Sequence, residues 1–222
     1  MTSGPGWTLP NTITVLRIVA CPAILFLALA PSVGARIAAF ALYIVAALSD
    51  IWDGYLARKH GWITDVGKLL DPLADKLLLL ATFIPFYLIS HRAGTEGDVP
   101  WWGPLPLWVV VVIFGRELAI TVFRSWAARR GTVIAAGTSG KHKALFQSIF
   151  SGALLAWYPL DQLAAERGWN VAIWTHWSPF HRAVIGVTLA VAVILTVYSA
   201  LDYLWSYRAL VRSEAGAEEP PR

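Results

Sequence analysis

The sequence predicts an all-α, polytopic membrane protein: six transmembrane helices preceded by a short interfacial segment. Three observations carry this expectation. Of the 222 residues 57% are hydrophobic and only 14% charged, with a mean hydropathy of +0.57. A soluble domain of that length carries about a quarter charged residues, so a water-facing shell cannot be covered unless much of the surface meets lipid. Six stretches of roughly 20 mostly apolar residues, the length a helix needs to cross the hydrocarbon core, fill the chain. Finally, the connections between these stretches carry their charge unevenly, as membrane topology requires.

Residues 1–11 form the lead-in, with Trp7 as an interfacial anchor and Pro10 opening a helix at its first turn. No basic cluster precedes the first span and no small-residue cleavage pattern follows it, so that span is expected to be retained. The spans are placed at 12–31, 36–57, 69–90, 104–126, 144–161 and 183–206. Arg58, Lys59 and Lys68 lie between the second and third. Arg124, Arg129, Arg130, Lys141 and Lys143 lie around the connection between the fourth and fifth. By the positive-inside rule these two connections face the cytoplasm, and so do both termini. The other connections are neutral or acidic, and they carry Trp101, Trp102, Trp169, Trp174 and Trp177 as an aromatic belt. Residues 12–207 thus make one membrane domain, and the acidic, proline-ended stretch 208–222 is expected to be a disordered cytoplasmic tail.

The same composition excludes other classes. A single cysteine, Cys21, sits in an apolar run and allows neither a disulfide framework nor a thiolate metal cage. A net charge of +4 is too small to argue for a nucleic-acid surface. The sequence has no repeat of 20 to 50 residues, so chemistry must be built into the helix bundle or its cytoplasmic mouth.

The strongest chemical signal is a cluster of acids. Five of the eight aspartates, Asp50, Asp53, Asp65, Asp71 and Asp75, fall at the end of the second span and the start of the third. Each charge held in the hydrocarbon region costs roughly 2.5–3.5 kcal/mol, so several together need a countercharge or a wet cavity. Asp50 and Asp53 are three residues apart and Asp71 and Asp75 four, so each pair projects from one face of its helix. Gly61, Thr64 and Gly67 permit a compact turn that brings the two faces together. Only Arg58, Lys68 and Lys76 are cations local in sequence, so a divalent ion is expected among the four carboxylates. Oxygen-only ligands select Mg²⁺, Mn²⁺ or Ca²⁺ over zinc. His60 is expected to be a solvated loop residue, and Gly54 and Ala57 to leave a flat surface beside the acids.

The segment SDIWDGYLARKHGWITDVGKLLDPLAD contains D-x2-D-G-x2-A-R-x8-G-x3-D-x3-D, filled by Asp50, Asp53, Gly54, Ala57, Arg58, Gly67, Asp71 and Asp75. This pattern resembles the signature of the CDP-alcohol phosphotransferases, whose six-span architecture agrees with the expected one. LPNTITVLR near the start, TDVGKLLDPLADK in the middle and GREL with GKHKALFQ later resemble the members that pass a phosphatidyl group from CDP-diacylglycerol to glycerol 3-phosphate. The resemblance covers about residues 8–155. It implies a bacterial cytoplasmic-membrane enzyme, a homodimer, with two Mg²⁺ or Mn²⁺ ions on Asp50, Asp53, Asp71 and Asp75. Asp75 would double as the base for the acceptor hydroxyl, and Gly54, Ala57, Arg58 and Gly67 would contact the CDP donor. Asn11 and Thr14 would hold the donor diphosphate, although N-capping of the first helix explains them equally well.

A second constellation, Arg116 and Arg124 on the fourth span with Lys141 and Lys143 at the start of the fifth, is expected to bind the acceptor's phosphate, with Glu117 orienting one arginine. Contact with anionic lipid headgroups is the competing explanation for the lysines. Family members of this type often carry Thr where this chain has Ala144, which removes a possible hydroxyl contact to the acceptor. An inositol phosphate or phosphatidylglycerol is the alternative acceptor, and a cation-coupled transporter using the aspartates is the alternative from another functional class.

Overall fold

A computed structural model describes residues 7–62, 64–92, 97–129, 138–169 and 171–215. They form six helices: α1 (Leu9–Leu29), α2 (Val33–His60), α3 (Asp65–Ser90), α4 (Leu107–Arg129), α5 (Thr138–Arg167) and α6 (Ala172–Ala215). Among the described residues there is no strand, only one isolated bridge between Val99 and Gly103. The all-helical expectation therefore holds. Four helices are long and apolar enough to cross a membrane, namely α1, α2, α3 and the Ala172–Trp205 part of α6. The apolar run of α4 is broken by Arg116, Glu117 and Arg124, and that of α5 is diluted by Gln147, Ser148, Ser151 and Tyr158. Helix α6 also reaches Ala215, past the end of the span expected there.

Local chemistry explains the helix ends. Pro10 sits in the first turn of α1, where its missing N–H is not needed. Ser32 caps α2 by accepting from the Ala35 amide at 3.3 Å. Gly61 ends α2 in the left-handed conformation, φ 67°, which a residue with a Cβ rarely adopts. Three residues on, the Thr64 hydroxyl accepts from the Gly67 amide at 3.0 Å and starts α3. The α2–α3 turn is thus closed at both ends by residues whose chemistry requires it.

The chain divides into two compact units, one made of Met1–Pro106 with Ser148–Gly186, the other of Leu107–Gln147 with Val187–Arg222. In the first, α1 packs along both α2 and α3. Its core is aromatic: Phe83, Phe86 and Phe150 are fully buried, with ring centroids 5.5–6.0 Å apart. Such tilted contacts suit the ring quadrupoles. The Tyr43 hydroxyl donates to the Ser148 carbonyl at 2.9 Å, and a Cβ added to Gly152 would stand 3.4 Å from the Tyr43 ring. In the second unit Phe123 meets Tyr203 edge-on, and the Gln147 amide donates to the Thr196 hydroxyl.

Candidate active site

The acids of α2 and α3 are gathered by α1. Asn11, Thr14 and Arg17 recur every three residues and so lie on one face of that helix. Arg17, whose side chain is fully buried, donates through Nη1 to Asp50 and through Nη2 to Asp53, and Nη1 stands 3.5 Å from Asp75. One turn earlier the Thr14 hydroxyl lies 3.0 Å from an Asp71 oxygen and 3.3 Å from an Asp53 oxygen. All four aspartates of the sequence pattern are therefore within reach of two side chains on α1.

Their environments differ. Asp53 is buried, whereas the side chains of Asp50 and Asp75 are 46% and 63% exposed. A buried carboxylate beside a buried guanidinium is an ion pair that neither partner can leave cheaply. The exposed oxygens of Asp50 and Asp75 remain open to a ligand. A hard divalent cation suits such a donor set, since every candidate ligand atom is oxygen. As the side chains stand, no three His, Cys, Asp or Glu groups among the described residues are spaced to hold one ion. Three of the four carboxylates, Asp50, Asp53 and Asp75, converge on Arg17 instead. This corrects the inventory of cations based on Arg58, Lys68 and Lys76: the charge nearest the acids comes from another helix. Lys68 pairs with exposed Asp65 at 2.9 Å.

The small residues split in role. A Cβ added to Gly54 would meet only the Arg58 guanidinium, 3.6 Å away, so the arginine head lies over that glycine. Arg58 is exposed and Ala57 half-buried, which leaves this stretch of α2 accessible. Gly67 is different. A Cβ there would stand 2.9 Å from the Asn11 side-chain oxygen and 3.2 Å from the Thr64 hydroxyl. Gly67 lies in the first turn of α3 rather than in the connection, and Asn11 takes the space its side chain would fill. Asn11 in turn exchanges hydrogen bonds with Thr64 at 3.0 and 3.1 Å, fastening α1 to the start of α3. His60 is exposed and stacks on Trp62 at 4.6 Å.

The basic constellation belongs to the other unit. Lys143 is buried and donates to Glu117, and Arg116 donates to the same carboxylate at 3.2 Å and to the Ser199 hydroxyl at 3.1 Å. Glu117 thus touches both an arginine and a lysine. Arg124, two turns along α4, places its guanidinium over the Tyr203 ring at 5.9 Å. The side chain of Lys141 lies outside the described residues, as does Arg130.

Sequence reasoning missed Arg17, the bond between Thr64 and Asn11, and the dual contact of Glu117. A signal for Arg17 was present: it is the only charged residue of an otherwise apolar helix, on the face already marked by Asn11 and Thr14. A lone intramembrane charge requires a partner.

Comparison with known proteins identifies the family. Residues 7–198 match the family model of the CDP-alcohol phosphatidyltransferases. The chain is 36% identical to a probable phosphatidylglycerophosphate synthase of Mycobacterium tuberculosis, over 88% of this chain and 79% of that protein. It is 35% identical to the CDP-diacylglycerol–glycerol-3-phosphate 3-phosphatidyltransferase of Bacillus subtilis, over 89% and 93% of the two chains. The protein of that name from Escherichia coli is 30% identical over 91% of this chain and 96% of its own. The matched region includes every helix that carries the four aspartates and the side chains gathering them, and the chain belongs to the CDP-alcohol phosphatidyltransferase family.

Proposed function

We propose that this chain is a CDP-diacylglycerol–glycerol-3-phosphate 3-phosphatidyltransferase, passing a phosphatidyl group to glycerol 3-phosphate and releasing CMP. The observation that carries this reading is the gathering of Asp50, Asp53, Asp71 and Asp75 around Arg17 and Thr14. The donor and the acceptor are those for which the Bacillus subtilis and Escherichia coli relatives are named.

In this reading Asp75, the most exposed of the three acids paired with Arg17, accepts the proton of the acceptor hydroxyl. The freed oxygen attacks the phosphorus bonded to the diacylglycerol, and the bond to the CMP oxygen breaks. Asp50, Asp53, Asp71 and Asp75 would hold Mg²⁺ or Mn²⁺, two ions in all, and the metal would supply neutralisation of the diphosphate charge. Gly54 and Ala57 give the cytidine a flat seat. Arg58 offers its fork to a donor phosphate oxygen. Asn11, Thr14 and Gly67 set the distance between α1 and α3 against which the donor lies. Arg116, Arg124, Lys141 and Lys143 bind the acceptor phosphate, whose charge a free alcohol such as choline lacks.

All six helices cross the bacterial cytoplasmic membrane in this reading, with both termini and the active site on the cytoplasmic side. The protein works as a homodimer among membrane lipids and without nucleic acid. The basic connections after α2 and α4 support the cytoplasmic orientation alone. The test is CMP release by the purified protein from CDP-diacylglycerol with Mg²⁺ or Mn²⁺ and a panel of acceptors: glycerol 3-phosphate, an inositol phosphate, phosphatidylglycerol and glycerol. Release with glycerol 3-phosphate alone supports the assignment. Preference for another acceptor reassigns the basic cluster, and an absence of CMP with every acceptor removes the transferase reading.

A further inference from the structure

Arg17 is the only charged residue of α1, and its side chain has no solvent exposure. Its guanidinium places a positive charge among Asp50, Asp53 and Asp75. Two of its nitrogens are spent on Asp50 and Asp53, while its Nε–H is buried without an acceptor. An arginine built in as a fixed strut satisfies its whole fork, because an unmet buried donor is costly. This one is held through its carboxylates and little else.

A divalent ion entering the site seeks the same oxygens. We propose that Arg17 is a positioning residue that serves as the metal-free counter-cation of the acidic site, loosening its hold on Asp50 and Asp53 as the ion arrives. Arg17 thereby sets the affinity for the ion: it keeps Asp50, Asp53 and Asp75 assembled against their mutual repulsion and competes with the metal for them. The inference rests on the reading of the aspartates as the metal site.

The experiment titrates Mn²⁺ into the purified full-length protein without substrate. It follows the unfolding temperature, and free Mn²⁺ by electron paramagnetic resonance. Arg17→Gln should unfold at a lower temperature than wild type in the absence of metal, and should gain more from Mn²⁺. Its half-saturating Mn²⁺ concentration should fall by roughly tenfold, equivalent to about 1.4 kcal/mol of competition removed. Arg17→Lys keeps a point charge without the fork and should shift the midpoint in the same direction by a smaller factor. If Arg17→Gln does not fold, the lysine variant carries the test alone. A midpoint unchanged or raised in the variant that folds overturns the proposal and makes Arg17 a fixed strut. Asp71→Asn separates the two readings: a wild-type Mn²⁺ response in that variant shows that the ion binds elsewhere, and the aspartate assignment fails rather than the competition alone.

Discussion

Thr14 and Asp71, 57 residues apart in sequence, stand 3.0 Å apart from hydroxyl to carboxylate oxygen. The same hydroxyl lies 3.0 Å from the Pro10 carbonyl and 3.3 Å from Asp53. It has one proton for three acceptors, so it serves one at a time. Removing it with Thr14→Val, which keeps the shape, should destabilise the protein by about 1–3 kcal/mol, while Thr14→Ser should come close to wild type. Thermal unfolding of the three proteins in one detergent decides the matter; a valine variant as stable as wild type would mean that the hydroxyl bonds neither acid.

Asp50→Asn and Asp71→Asn should each abolish transfer while leaving the protein folded, because both side chains are accessible and each loss removes a ligand charge. Asp53→Asn should abolish transfer and also lower stability by about 3 kcal/mol, since it leaves the buried Arg17 charge short of its buried partner. CMP release and thermal unfolding measured on the same preparations test the contrast. Near-native turnover in either of the first two variants would remove the metal assignment.

Two glycine substitutions should have opposite signatures. Gly54→Ala brings a methyl group against a flexible arginine head and gains helix propensity, so stability should hold or rise by up to about 1 kcal/mol. The apparent KM for CDP-diacylglycerol should increase with it. Gly67→Ala pushes on Asn11 and Thr64 and should lower the unfolding temperature. Should Gly54→Ala leave the donor KM unchanged, the small residues of α2 serve helix packing and not the nucleotide.

In the basic constellation, Lys143→Gln removes a charge-assisted contact of about 1.5–3 kcal/mol and should raise the KM for glycerol 3-phosphate by one to two orders of magnitude. Glu117→Gln should lower that KM, because the carboxylate now held by Arg116 and Lys143 competes with phosphate for them. Donor KM, measured in parallel, should hardly move. Equal weakening of donor and acceptor in Lys143→Gln would show that the cluster is structural.

Much of this was legible in the sequence because it depends on short spacings. The i, i+3 and i, i+4 aspartate pairs lie on single helix faces, and the α2–α3 turn announces itself through Gly61 and Thr64. The helical class follows from apolar runs of spanning length. What the sequence hid depends on contacts between helices. Arg17 finds Asp50 and Asp53 across 33 and 36 residues, and no local periodicity encodes that pairing. Gly67 looked like a turn residue because glycine is ambiguous between conformational freedom and close approach; only the position of Asn11 resolves it. Likewise the expected fourth and fifth spans are helices, but each spends polar residues on internal bonds, such as Arg116 to Ser199 and Thr82 to Ser151, and so falls short of a plain spanning composition.

The burial of Arg17 also bears on how the protein is made. When α1 leaves the ribosome it carries a permanent charge about 12 Å from its start, at eight residues of 1.5 Å rise each. Its first two partners, Asp50 and Asp53, emerge only with the far end of α2. An isolated α1 in lipid bears the full cost of that charge, whereas the α1–α2 hairpin already contains the ion pairs that cancel it. The α1–α2 hairpin should therefore partition into the bilayer more stably than α1 alone. Chains truncated before Asp50 should remain accessible at the channel or be extracted from the membrane, and chains extended past Asp53 should resist extraction.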